Sequence, residues 1–277
     1  MHYFIYESAK NMTVKEITNK KKIVIKVGTS TLTHDTGFLN LHKMEMLAKV
    51  ISNLHNSGKK IILVSSGSQS AGISKLGLSE RPSTREGKQA AAAVGQCELM
   101  NMYGRFFAEY GKNVAQVLLT KEVWDDPVQH KNASGTFSQL IEMGCIPIVN
   151  ENDTISYEGI DFGGNDILAA YVALLSEAEL LINLSDIDGL YTKNPRQYPD
   201  AKLVERIEKV DDGVLSFAGG AGTQRGTGGM IAKLQSAKLA AMRSIPMIIA
   251  NGSDPHILYD MIEDGCFTGT YFANTEA

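Results

Sequence analysis

Short apolar runs alternate along this chain with longer stretches in which apolar residues recur every three or four positions. Residues 23–27 (Ile-Val-Ile-Lys-Val) are apolar apart from Lys26 and stop at Gly28-Thr29-Ser30, and residues 61–64 (Ile-Ile-Leu-Val) stop at Ser65-Ser66-Gly67. Runs of that length closed by a glycine turn read as buried strands. Between them Met44, Leu47, Ile51 and Leu54 share one helical face, and Gly58 supplies the glycine that ends a helix. The alternation continues through an alanine-rich segment over 85–110, a strand over 114–119, a helix over 137–143, a strand over 146–149, a helix over 167–175 and a strand over 180–184. A helix over 230–243, a strand over 246–250 and a helix over 256–263 follow. This rhythm predicts an α/β fold, a three-layer αβα sandwich with a mainly parallel central sheet. Parallel strands need crossovers, and right-handed crossovers lay helices on both faces. With no linker, repeat or low-complexity tract, residues 1–21 read as a poorly ordered N-terminal extension and residues 22–277 as one domain with two halves.

Composition narrows the classes of function. The 277 residues are 43% hydrophobic and 21% charged, an ordinary globular balance, and 26 Gly against 7 Pro imply many tight turns. A net charge of −4 gives no field for collecting nucleic acid or anionic membrane. The strongest apolar stretch, 167–175, is far short of the ~20 residues that span a bilayer, and residues 1–22 lack the uninterrupted apolar core of a signal peptide. Cys97, Cys145 and Cys266 are odd in number and far apart, so neither a disulfide framework nor a Cys-x-x-Cys metal site fits, and a reducing cytoplasm is the expected home.

Ligands of open α/β sheets sit beyond the carboxyl ends of the strands, where the glycine turns fall. Lys26 could be an edge-strand lysine with a solvated head, or it could point into that crevice beneath the Gly28, Thr29 and Ser30 amides. Residues 64–72 (Val-Ser-Ser-Gly-Ser-Gln-Ser-Ala-Gly) look like an anion site at a helix start or a plain serine-rich cap. Residues 219–233 carry Gly226-Thr227-Gly228-Gly229-Met230 directly into a helix whose stripe is Met230, Leu234, Ala237 and Ala241. Lys233, about one turn in, leans back toward those glycines. Neither Gly-x-x-x-x-Gly-Lys-Ser/Thr nor a first-strand Gly-x-Gly-x-x-Gly occurs, which disfavours Walker-type NTPases and standard dinucleotide folds. Two lysines from distant glycine turns suggest another kind of phosphoryl-transfer site.

The strand over 146–149 opens into Asn150-Glu151-Asn152-Asp153, and a long polar loop then reaches Phe162-Gly163-Gly164-Asn165-Asp166 before a helix. Asn165 or Asp166 could cap that helix. The loop's carboxamides and carboxylates could equally recognise the charged groups of an amino acid, with Asp166 holding the two lysines, or coordinate Mg²⁺.

These motifs, together with Ala93-Val94-Gly95-Gln96 and Asp188-Gly189-Leu190-Tyr191-Thr192, closely resemble the amino acid kinase family over about residues 22–272, specifically its branch acting on the γ-carboxylate of L-glutamate. The resemblance implies ATP-dependent formation of L-glutamyl 5-phosphate, the first step of proline biosynthesis. It assigns Lys26, Lys233 and Asp166 to catalysis, and Ser66, Gly67, Asn150, Asp153 and Asn165 to glutamate. Lys26, Gly28, Ser185, Asp186, Gly226, Thr227, Gly228, Gly229, Met230 and Lys233 would meet the nucleotide. Mg²⁺ would arrive with ATP, with no metal held permanently; proline is a candidate feedback inhibitor, and a homodimer or homotetramer is expected. The N-terminal half would take the amino acid and the C-terminal half the nucleotide. Two departures stand out: Gly164 replaces an aspartate usual in the family, and the chain ends where many relatives continue into a PUA domain. Alternative readings are a kinase of the same family acting on aspartate, acetylglutamate or UMP, and an amino-acid sensor without turnover.

Overall fold

The computed structural model describes residues 15–34, 36–156, 164–218 and 229–273. In chain order the principal elements are β1 (Lys22–Val27), α1 (Leu41–Asn56), β2 (Lys60–Ser65), α2 (Ser68–Lys75), α3 (Arg85–Glu109), β3 (Val114–Leu119), α4 (Pro127–Glu142) and β4 (Ile146–Glu151). Then follow α5 (Asn165–Leu175), β5 (Leu180–Ser185), β6 (Arg206–Ile207), α6 (Met230–Ala240), β7 (Met247–Asn251) and β8 (Gly269–Phe272). They form an eight-stranded sheet in the order β3-β4-β2-β1-β5-β7-β8-β6. All pairings are parallel except β7 with β8. β1 lies between β2 and β5, so Lys26 is on a central strand and its reading as an edge lysine falls.

The period-2 rule sorts the side chains between two layers. Ile23, Ile25 and Val27 of β1 pack with Met44, Leu47, Ile51 and Leu54 of α1 and Leu99, Tyr103 and Phe107 of α3. Val24 faces the other way, with Phe137 of α4, Leu168, Ala169 and Val172 of α5, and Leu234 and Ala237 of α6. Lys26, two residues after Val24, therefore emerges on the α5–α6 side. Burying each Val, Leu or Ile side chain stabilises the fold by about 1.5–3 kcal/mol.

Two glycines set one helix crossing. A Cβ at Gly72 of α2 would lie 1.7 Å from the Ala91 carbonyl oxygen, and a Cβ at Gly95 of α3 1.7 Å from that of Ser68. Only hydrogen at both positions lets the two backbones touch, and this fixes α2 beside α3.

Several elements differ from the sequence expectation. Helix α4 begins ten residues before 137, because Asp126 accepts hydrogen bonds from the Val128 and Gln129 amides with Pro127 at the first helical position. It buries Phe137 but little else, so its apolar period is faint. The stretch over 256–263 forms only an α-helical turn, Ile257–Tyr259, and a wider turn, Asp260–Asp264. Residues 15–18 are helical and Ile17 is fully buried, while Lys59 Nζ donates to the Thr18 and Lys20 carbonyls at 2.7 and 2.8 Å. From residue 15 onward, then, the supposed extension is packed into the fold. Among the described residues no helix is long and apolar enough to cross a membrane.

Candidate active site

Three charged side chains converge beyond the carboxyl ends of β1 and β5. Lys26 Nζ lies 2.5 Å from Asp166 Oδ1 and Lys233 Nζ lies 2.9 Å from Asp166 Oδ2. Asp166 is 1% exposed and each lysine 6%. The strand brings Lys26 up from below, α5 presents Asp166 in its first turn, and α6 presents Lys233 one turn in. Ser236 Oγ, also on α6, donates to the Asp166 carbonyl at 2.8 Å, locking the two helices together at this point. The cluster carries two positive charges against one negative, so it retains a surplus positive charge in a place nearly without water.

The charges perturb one another. Burial is the largest influence on Lys26 and draws its ammonium below 10.5, reinforced by Lys233 and opposed by Asp166. Burial alone would raise the Asp166 carboxyl, but the two lysines overcome it and hold the group below 3.8. An acid whose folded value is depressed contributes stability that is complete above the unfolded value, here 3.8, and is lost as pH falls through the folded value. Equilibrium denaturation below pH 3.8 is therefore expected to show an acid-dependent loss of stability that is shallower in Asp166→Asn. An unchanged slope would contradict the charge assignment.

On one side of the triad a polar web joins three turns. Asn165 Nδ2 donates among the Ser65 carbonyl, Ser66 Oγ and Asn150 Oδ1, at 2.8, 3.0 and 2.9 Å. Asn150 Nδ2 in turn donates to Gln96 Oε1 at 2.9 Å, and Ser68 Oγ donates to Asp153 Oδ2 at 3.0 Å. Burial raises the Asp153 carboxyl above 3.8 against the opposing Ser68 hydrogen bond. Neither Asn165 nor Asp166 caps α5. The cap is Gly164, with φ 84° and ψ 178°, a backbone region open essentially to glycine alone. The residue that the sequence marks as a missing carboxylate is thus also a conformational requirement of this turn.

On the other side lies a cleft bordered by Ser185, Asp186, Tyr191, Asn194, Arg196, Gly229, Met230 and Lys233. Next to it Asp188 ties two elements together, its two carboxylate oxygens accepting from Asn251 Nδ2 at 3.0 Å and Tyr191 Oη at 2.8 Å. Gly189 is pressed against Thr270, where a Cβ would come 2.4 Å from Oγ1. Gly28 lies above Lys26, a Cβ there falling 3.7 Å from Nζ, so glycine keeps the approach to the ammonium open. The structure thus gathers Lys26, Gly28, Ser66, Gly67, Asn150, Asp153, Asn165, Asp166, Ser185, Asp186, Gly229, Met230 and Lys233 along this edge. Gly226, Thr227 and Gly228 lie outside the described residues.

The sequence reading passed over Asn183 and Ser236. Asn183 Nδ2 donates to Asp166 Oδ1 at 2.8 Å. Its signal was a lone amide within Leu180-Leu181-Ile182-Asn183-Leu184, at the end of a strand beside β1.

Fold and triad define a three-layer α/β protein with a positively charged, water-poor crevice at the carboxyl edge of its sheet. A model of the amino acid kinase family matches residues 21–251. The chain belongs to the amino acid kinase family. It is 51% identical over 251 residues to a protein of Caldanaerobacter subterraneus subsp. tengcongensis named glutamate 5-kinase, covering 91% of this chain and 67% of that one. Proteins of the same name from Clostridium tetani and Clostridium perfringens are 50% identical over 252 residues and 48% over 262. Those matches cover 91% and 93% of this chain and 94% and 97% of theirs. Among solved structures an isopentenyl phosphate kinase superposes with TM-score 0.63 at 17% identity, covering 91% of this chain and 99% of that one, a likeness of fold.

Proposed function

We propose that the protein transfers the γ-phosphoryl group of ATP to the γ-carboxylate of L-glutamate, giving L-glutamyl 5-phosphate and ADP, the first step of proline biosynthesis. The observation that carries this reading is the buried Lys26–Asp166–Lys233 triad, in a chain about half identical to proteins named glutamate 5-kinase. The substrate carboxylate is itself the nucleophile, so the protein's work is positioning and charge. Lys26 and Lys233 offer N–H groups to the phosphoryl oxygens as negative charge gathers there, and Asp166 keeps both ammonium groups in place. On the N-terminal half, Ser66, Gly67, Asn150, Asp153 and Asn165 hold glutamate, the Asp153 carboxylate facing its α-ammonium group. On the C-terminal half, Ser185, Asp186 and the turn from Gly226 to Met230 receive the nucleotide.

Mg²⁺ is proposed to enter bound to the ATP phosphates, where it would supply charge neutralisation. Feedback by proline and assembly as a homodimer or homotetramer belong to the same proposal. Sedimentation and an assay with and without proline test them.

Purified protein with Mg-ATP, L-glutamate and hydroxylamine is expected to form γ-glutamyl hydroxamate with stoichiometric ADP. Turnover of aspartate, acetylglutamate or UMP in place of glutamate would overturn the assignment. Because burial raises the Asp153 carboxyl, the glutamate KM is expected to climb on acidification sooner than an ordinary aspartate would cause. Asp153→Asn should raise that KM by roughly 10–100-fold, flatten its pH dependence and leave the KM for ATP nearly unchanged.

A further inference from the structure

Lys26 has a polar neighbour on its own face of the sheet. In the parallel β1–β5 pairing its Cα partner is Asn183, and Val24 and Leu181, two residues earlier on each strand, lie in the same core layer. Asn183 is 1% exposed. Its Nδ2 donates to the same Asp166 oxygen that holds Lys26, Oδ1, whereas Lys233 takes Oδ2. Its own Oδ1 is buried with no hydrogen-bond partner among the described residues. Turning the amide over would aim a carbonyl at a carboxylate, so Asp166 sets its orientation. A buried amide with one end unsatisfied weakens a fold, and a leucine would continue the apolar run of β5. Stability therefore does not account for an asparagine here; dividing Asp166 Oδ1 between two donors does.

We propose that Asn183 is a positioning residue for phosphoryl transfer: its amide fixes the plane of the Asp166 carboxylate and loosens the hold of Oδ1 on Lys26, freeing the ammonium to turn toward the transferring group. This rests on the phosphotransfer reading above. The charged groups facing Lys26 are Asp166 from α5, Lys233 from α6 and Asp186 just beyond β5. When the amide is removed, Oδ1 has one donor fewer and grips Lys26 more tightly, so that the ammonium keeps its proton to higher pH.

The experiment uses the full chain as wild type, Asn183→Leu and Asn183→Ala, each followed by thermal denaturation, steady-state kinetics against pH and NMR titration of the Lys26 ammonium. The leucine variant should hold or raise Tm and the alanine variant, which leaves a void, should lower it. Both should nevertheless lose kcat by roughly tenfold or more, with both KM values within about twofold. In both, the alkaline limb of kcat and the Lys26 titration should move to higher pH. Unchanged kcat in either variant, a loss that follows Tm, or an unmoved Lys26 titration overturns the proposal. If the wild type makes no phosphorylated glutamate, it is the functional reading that fails, and the Lys26 titration alone then decides the role of Asn183.

Discussion

Lys26→Ala and Lys233→Ala are each expected to lower kcat by about 10³-fold or more, ~4 kcal/mol of transition-state stabilisation, while the protein stays folded. The argument is one of charge at a dry site. The intact triad has two positive charges and one negative, and loss of either lysine makes it neutral just where negative charge accumulates during transfer. In bulk water such a change would be slight. With both lysines 6% exposed the charge is poorly screened. Folding survives because Asp166 keeps one lysine partner in either variant. Steady-state kinetics beside a thermal melt checks this: kcat should collapse while KM for both substrates shifts only a few-fold. Near-normal turnover in either variant would remove that lysine from the chemistry.

Gly95→Ala should be severely damaging for so small a change, costing about 3 kcal/mol or more or preventing folding at 37 °C. Its new Cβ would fall 1.7 Å from the Ser68 carbonyl oxygen and 2.4 Å from the Gly72 amide nitrogen. Both are backbone atoms, so no rotamer relieves the clash and α2 must move off α3. That displacement would reach the site at two points. α2 begins directly after the Ser66-Gly67 turn, and Gln96, next to Gly95, holds Asn150 at 2.9 Å. Any folded fraction should therefore show a raised KM for glutamate with a nearly unaffected KM for ATP. Gly104 supplies the control on the same helix: a Cβ there meets nothing within 4 Å, so Gly104→Ala should stabilise α3 by about 0.5–1 kcal/mol. Urea denaturation of the two variants side by side decides the matter, and similar stabilities would refute the crossing argument.

The parallel core strands were legible because each is a mostly apolar run ending in small or polar residues. Strands β6 and β8 were not, being two and four residues long with no period to detect. Helix α4 was legible only in part, since its surroundings bury Phe137 and little else, leaving the Asp126-Pro127 start as the better signal. At the site, Lys26, Lys233 and Asp166 could be picked out as chemically unusual residues at strand and helix ends. That all three meet depends on strand order, which places β1 beside β5 despite the distance between them in sequence. Asn183 escaped for the same reason, since an amide in a strand acquires meaning only once its neighbour across the sheet is known. Glycine was ambiguous in both directions. Gly72 and Gly95 look like helix weaknesses until the crossing is seen, and Gly164 looks like a lost carboxylate until its φ is known.

The seam between β1 and β5 pairs Ile23 with Leu180, so one wall of the crevice is made early in synthesis and its counterpart much later. Lys233 emerges later still. A nascent chain holding β1 to β4 can already bury much of one layer of the core, yet it has only one of the three charges that define the crevice. The complete triad, with both lysines held on Asp166, comes into being only when α6 docks, near the end of translation. Truncated products that end before α6 consequently lack Lys233 and with it the complete triad.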